Sequence, residues 1–246
     1  RAESVFAKGI SLQRKFTEVG QKSSIVPHAP YTVSDRLMKL ICNKARESDN
    51  ILCIHNQETA SENEMFEKGS GVLIEKLHQL TGAYSDWKHT GKSSLASVIG
   101  DILSDTFLQL VHNTFTKPED INMANKIHSA LFWCLCVNAN LFIENALPDI
   151  DMMNQEKCMF TIGTDSYASN SSLSVLDELK TISRHFPKIK LDEMLRWSTF
   201  NGARFLRIEN KYGSFEKGKT PGINLIPNID FQKICLIESS RVMRIV

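Results

Sequence analysis

The sequence contains no apolar run approaching the ~20 residues that cross a bilayer as a helix, so a membrane partner is not expected. Its opening residues, Arg1-Ala2-Glu3-Ser4, are not followed by the apolar stretch of a secretory signal. There is no block of like charge. The 29 Lys and Arg against 28 Asp and Glu leave a net charge of +1, and no basic footprint for nucleic acid exists. No glycine-rich phosphate loop follows any apolar stretch, which removes support for a dinucleotide-binding reading. Cys134-Leu135-Cys136 has no second cysteine pair with which to build a structural metal site. Four of the six cysteines (Cys53, Cys134, Cys136, Cys158) sit inside apolar runs, which predicts reduced, buried thiols in a cytoplasmic protein. What is present is an ordinary globular composition, 42% hydrophobic and 23% charged, in 246 residues. That length suits one large domain or two small ones.

Short apolar runs alternate along the chain with amphipathic helical patterns. A helix over residues 3–19 is followed by a strand at 24–27 that ends at His28. Ser34 caps the next helix. Ile51-Leu52-Cys53-Ile54 then forms a strand ending at His55, with Glu58 three residues on and Thr59 and Glu62 forming a capping box for a helix over 60–80. Residues 81–94, rich in Gly, Ser and Lys, read as an inserted loop, in which Trp87 and His89 are candidates for a lid or for ordinary loop residues. A helix over 95–103 precedes the strand 107–111 and His112. Thr116-Lys117-Pro118-Glu119 reads as a second capping box. Strand 131–137 ends at Asn138, a polar connection spans 151–157, and strand 158–163 ends at Asp165. Helices over 173–182 and 191–206 follow. The tail from Gly213 carries two short extended runs. His78 and His128 read as surface residues on helices.

The strand-end residues His28, His55, His112, Asn138 and Asp165 are separated by 27, 57, 26 and 27 positions. Three of these spacings equal one βα unit, and the longest is a unit plus the inserted loop. Strand–helix alternation with polar strand ends predicts an α/β protein with a parallel sheet, of barrel type rather than an open sheet. Imidazoles and carboxylates converging on one rim suit metal-assisted hydrolysis, in which the cation lowers the pKa of water toward ~7 and a carboxylate moves its proton. Each residue alone has a structural reading: a hydrogen-bonded histidine, an Asp165 cap, or a Glu58 that favours a helix N-terminus.

His28-Ala29-Pro30-Tyr31, Ile54-His55-Asn56-Gln57-Glu58-Thr59, Val111-His112, Asn138-Ala139-Asn140-Leu141 and Gly163-Thr164-Asp165-Ser166 occur in an order that resembles the amidohydrolase superfamily. The similar branch contains cytosine, guanine and S-adenosylhomocysteine/aminofutalosine deaminases and triazine chlorohydrolases. Ala168-Ser169-Asn170, Asn201-Gly202-Ala203 and Gly213–Lys219 resemble it too. The resemblance implies a partial TIM-type (β/α)8 barrel, strands four to eight, over residues 1–212, with 213–246 as strands of a small β-sandwich domain. It also implies His55 and Asp165 as metal ligands, Glu58 as the proton shuttle, His112 as the residue that polarises water, and His28 as a substrate contact. Ser166 is implied to help position Asp165. The implied cofactor is a divalent metal, zinc with iron as the alternative.

The sequence departs from that pattern in two places. No two of its seven histidines are separated by one residue, so the His-x-His that supplies two ligands from the first strand of the family barrel is missing. Val137 stands where the family often has proline or arginine. The expectation is therefore the C-terminal part of a longer protein, weak or absent in metal and inactive alone. Its complete form is expected to deaminate a small amino-substituted heterocycle by metal-hydroxide attack, with room for a homo-oligomer. The alternatives are a chlorohydrolase or cyclic-amide hydrolase using the same site, or a non-catalytic barrel remnant that binds a partner.

Overall fold

The computed structural model describes residues 1–48, 50–82 and 87–246. They form two compact units, Arg1–Leu131 and Phe132–Val246. Part of the expected inserted loop, residues 83–86, lies outside the described residues.

The first unit contains α1 (Ala2–Glu18), α2 (Asp35–Glu47), β1 (Leu52–Asn56), α3 (Ala60–Lys68), α4 (Val72–Thr81), α5 (Ser94–Val98), β2 (Leu108–His112) and α6 (Pro118–Ile127). Strands β1 and β2 pair in parallel, with Leu52 opposite Leu108 and Asn56 opposite His112. Both alternate buried and half-buried positions. Leu52, Ile54, Leu108 and Leu110 point into a core shared with Met38 and Ile41 of α2, Met65 of α3, Leu95 of α5 and Ile121 of α6. Each such side chain contributes about 1.5–3 kcal/mol by leaving water.

The expected strand over 24–27 does not form. Pro27 and Pro30 remove backbone donors on both sides of His28, so a ladder cannot propagate. The His28 carbonyl nevertheless accepts the His55 N–H at 3.0 Å, which fastens this segment to β1. The helix expected over 60–80 is two helices, because Gly69 (φ 71°) and Gly71 (φ 104°) adopt left-handed backbone that ends the first. The second capping box is displaced by one residue. Lys117 is the N-cap, and its N–H donates to Asp120. Trp87 packs edge-on against Phe66 at 5.4 Å, which ties that part of the inserted loop down onto α3. His128 is buried at the end of α6, with Nε2 3.4 Å from the Ile99 carbonyl, not on the surface.

The second unit contains most of β3 (Leu131–Leu135), then α7 (Val137–Glu144), α8 (Ile150–Gln155), β4 (Phe160–Ile162), α9 (Val175–His185), α10 (Leu191–Arg196), a π-helical turn (Trp197–Asn201) and α11 (Gly202–Phe205). Strands β3 and β4 are parallel, with Trp133 opposite Phe160 and Leu135 opposite Ile162. Phe132, Trp133, Cys134 and Leu135 are all buried, as expected for a strand covered on both faces. Two sequence expectations fail here. Strand β3 stops at Leu135, so Val137 and Asn138 open a helix, and the connection at 151–157 contains α8. Residues 213–246 hold two antiparallel pairs, β5 (Asn224–Leu225) with β8 (Met243–Arg244) and β6 (Ile229–Asp230) with β7 (Cys235–Leu236). No helix among the described residues is long and apolar enough to cross a membrane.

Candidate active site

In the first unit, three expected site histidines come together at the carboxyl ends of the strands. The His28 and His55 rings meet edge-on at 4.9 Å, and the His55 and His112 rings stack at 5.2 Å with 21° between their planes. Strand alternation alone would send His112 to the buried face with Leu108 and Leu110. It is indeed buried in phase with them, while its backbone is left-handed (φ 76°) and its ring lies on that of His55. Gln57 (φ 46°) and Asn113 (φ 59°) are left-handed as well. Non-glycine residues in this region store strain, and such residues cluster at functional sites.

Hydrogen bonds fix which imidazole nitrogens are available. His55 Nδ1 lies 2.7 Å from the His28 carbonyl oxygen, which can only accept, so Nδ1 is the donor and Nε2 is the lone-pair nitrogen of the neutral tautomer. The Thr32 hydroxyl donates to the Ala29 carbonyl, so it accepts from His28 Nδ1 at 3.0 Å. Burial and then the neighbouring His55 hold the His28 pKa below the usual imidazole value. His112 is fully buried, and its Nε2 lies 3.5 Å from Glu58 Oε1.

Beneath these groups lies a buried polar network. The Thr59 side chain caps α3 as expected, accepting Glu62 N–H at 3.2 Å. The Glu62 carboxylate does not complete the capping box. The left-handed turn at Gln57 points two successive amides at it, and it accepts Gln57 N–H at 3.0 Å and Glu58 N–H at 3.1 Å. Ser94 donates its hydroxyl to the same carboxylate at 2.5 Å. Burial pushes the Glu62 carboxyl up to about 7. Gln57, also fully buried, donates to Asn63 and Asp120 and accepts from the Thr116 hydroxyl at 2.7 Å. Glu58 is thus held through its backbone by a carboxylate that sequence reading assigned to helix capping alone. The signal available was the spacing of two glutamates by four residues across a helix start. A cleft of about 940 Å³ opens along the His28 loop, lined among others by Pro30, Tyr31, Phe66 and Trp87.

The second unit holds Asp165, whose backbone is left-handed (φ 55°). Its carboxylate accepts a hydrogen bond from the Ser169 hydroxyl, the role expected of Ser166. Ser166 Oγ accepts from Ala168 N–H instead. Asn170 Nδ2 donates to the Thr164 carbonyl at 2.7 Å and to Glu178 at 2.8 Å. Glu178, whose carboxyl burial pushes up, also accepts the Asn138 N–H. Asn138 Oδ1 receives the Thr181 hydroxyl, so this strand-end candidate is a structural tie between α7 and α9. Glu178 was missed because an acidic residue in a first helical turn reads as a surface dipole partner.

Parallel βα units with imidazoles and carboxylates at their strand ends define an α/β scaffold of barrel type. The chain belongs to the amidohydrolase family, whose model matches residues 5–236. It is 28% identical over 226 residues to a 5-methylthioadenosine/S-adenosylhomocysteine deaminase of Saccharophagus degradans, covering 88% of this chain and 46% of that protein. In fold it is similar to the Helicobacter pylori aminofutalosine deaminase in complex with methylthio-coformycin (TM-score 0.77, 23% identity, 93% of this chain and 57% of that one). It is also similar to an adenosine deaminase from Xanthomonas campestris with bound zinc (TM-score 0.68, 23% identity, 88% and 46%). The chain spans about half the length of the curated relatives it matches.

Proposed function

We propose that the complete protein is a metal-dependent hydrolase of non-peptide carbon–nitrogen bonds that deaminates an amino-substituted heterocycle of the purine, adenosine or pyrimidine type. The observation that carries this reading is the His55 tautomer. Its Nδ1–H donates a hydrogen bond to a backbone carbonyl, which leaves Nε2 of the neutral ring as a metal donor beside a Glu58–His112 pair at 3.5 Å. That donor chemistry fits a borderline cation such as zinc, with iron as the alternative. His55 and Asp165 would hold it. When bound, the cation supplies Lewis-acid activation of water and of the ring position under attack.

Every other role falls to side chains of this chain. The Glu58 carboxylate takes the proton of the attacking water and delivers it to the departing amine, while His112 Nε2 orients that water. His28, held by Thr32 beside the cleft, contacts the heterocycle. In this reading β1 to β4 are strands five to eight of a (β/α)8 barrel, and residues 213–246 are strands of a small β-sandwich.

The test is ammonia release from a panel of adenosine-type, guanine and pyrimidine substrates by the full-length protein with zinc. Release is expected, with a loss of at least about 10²-fold in Glu58→Gln, the scale of general acid–base catalysis. Absence of release across the panel, or His55→Ala as active as the parent, overturns the reading. With His55 and Asp165 as the ligands the proposed site has two where a catalytic zinc takes three protein ligands, so this chain alone is expected to bind zinc weakly and turn over nothing.

A further inference from the structure

Cys134 and Cys136 flank Leu135 at the carboxyl end of β3 and are both buried. Residues two apart in extended chain project to the same face. Both sulfurs converge on one spot: a Cβ built on Gly163 would lie 2.9 Å from Cys134 Sγ and 3.0 Å from Cys136 Sγ. The two thiols shift each other's titration in opposite directions, and Thr161 also acts on Cys134. Only glycine fits against this sulfur pair. Gly163 is held in turn by the residue between the cysteines, since its N–H donates to the Leu135 carbonyl at 3.0 Å. Gly163 leads through Thr164 into Asp165.

The geometry points to Cys134 and Cys136 as a redox-responsive dithiol that closes to an intrachain disulfide and, on closing, loosens the Gly163–Leu135 hydrogen bond at the strand end carrying Asp165. The oxidant is a hydroperoxide or a small disulfide of the glutathione type. With a peroxide, one thiolate attacks the O–O bond, leaving a sulfenic acid and an alcohol or water. The second thiol then displaces water from that sulfur, forming the S–S bond. Two thiols and one peroxide are consumed, and the peroxide is reduced by two electrons. With a disulfide, thiolate exchange releases two small thiols. The interaction between the two sulfurs lowers the Cys134 pKa and raises that of Cys136, which designates Cys134 as the attacking sulfur.

The coupling to Gly163 is mechanical. Closing brings the sulfurs to about 2.05 Å and makes the whole Leu135 backbone part of a small ring. The peptide planes on either side of Leu135 must rotate, and its carbonyl rotates away from Gly163 N–H. The other cysteines of this unit are poorer partners: burial pushes Cys158 up to about 12, and Cys235 lies in the β6–β7 hairpin. The step is independent of any catalytic role for Asp165.

The experiment is intact-mass analysis and peptide mapping of the chain after hydrogen peroxide and, separately, after oxidised glutathione, with amide hydrogen exchange of the reduced and oxidised forms. The expected result is loss of two hydrogens mapped to a Cys134–Cys136 crosslink, reversed by dithiothreitol. Exchange at Gly163 should be faster by about fivefold to tenfold, the worth of one net hydrogen bond. Cys136→Ser should stop at a Cys134 sulfenic acid or a glutathione adduct. Unmodified thiols, sulfinic acid at either position in the parent chain, a crosslink to another cysteine, or a mapped crosslink with unchanged Gly163 exchange each overturn the inference. The wild-type measurements decide it even if a serine variant fails to fold.

Discussion

Glu62 spends its hydrogen-bonding capacity on Gln57 N–H, Glu58 N–H and the Ser94 hydroxyl, and water contributes nothing. Its pKa rises from the ordinary 4.5 to about 7, chiefly by burial. The folded state therefore holds this proton more tightly than the unfolded chain does. The associated stability is complete below about pH 4.5 and is lost as pH rises through about 7, amounting to at most about 3 kcal/mol. Urea midpoints of the parent should fall between about pH 5 and about pH 8, and Glu62→Gln should flatten that slope. An unchanged slope in the variant would remove Glu62 as its source. At this scale the sequence showed the groups that bear chemistry better than the groups that hold them. His55, Glu58 and His112 stood at the ends of apolar runs and could be named. Gln57, Asp120 and Glu178 could not, because a buried polar residue is distinguished by distant partners, 63 positions apart for Gln57 and Asp120 and 40 for Asn138 and Glu178, and no local pattern encodes those. The stacking of His112 on His55 depends on a backbone angle that composition does not reveal.

Among the elements, strand positions were legible and strand ends less so. Four apolar runs became β1 to β4. Ser24–Pro27 has the same apolar character and reads as a strand, but Pro27 within it and Pro30 just beyond lack the backbone donors a ladder needs. In Cys134-Leu135-Cys136-Val137 the apolar run continues straight from β3 into α7, so periodicity offers no boundary. The break between α3 and α4 was marked in the sequence by Gly69-Ser70-Gly71, a glycine pair that a single long helix would not tolerate. Glycines in the second unit give a controlled comparison. Gly213 (φ 88°) would place a Cβ 2.7 Å from Ala203 Cβ and 3.1 Å from Phe200 Cα, whereas Gly218 (φ 93°) faces open space. Both substitutions to alanine strain the backbone, by about 1 kcal/mol. Gly213→Ala should cost about 1–3 kcal/mol more, since neither neighbour is a flexible side-chain end. Thermal unfolding of the two variants checks the ordering, and equal midpoints would contradict the close approach.

For the molecule as a whole, charge is nearly balanced, with an isoelectric point near 7.8. Large apolar side chains are exposed in the tail, Phe215 at 79%, Phe231 at 80% and Ile234 at 64%. Little net charge together with exposed apolar surface favours self-association. Light scattering of the chain should peak near pH 7.8 and fall when Phe231 and Ile234 are both replaced by glutamate. A flat pH response would locate any association elsewhere. The left-handed residues Gln57, His112, Asn113 and Asp165 have a further consequence for how such a chain can diversify. Valine, isoleucine and threonine are strongly disfavoured at these positions by backbone alone, before any question of chemistry arises, although Ile234 adopts the same region (φ 51°). A randomised library would return a narrow alphabet there, weighted to Asn, Asp and Gly. New ligand preferences would then have to be drawn from connecting segments such as the His28 loop and residues 87–90, where no described residue has positive φ.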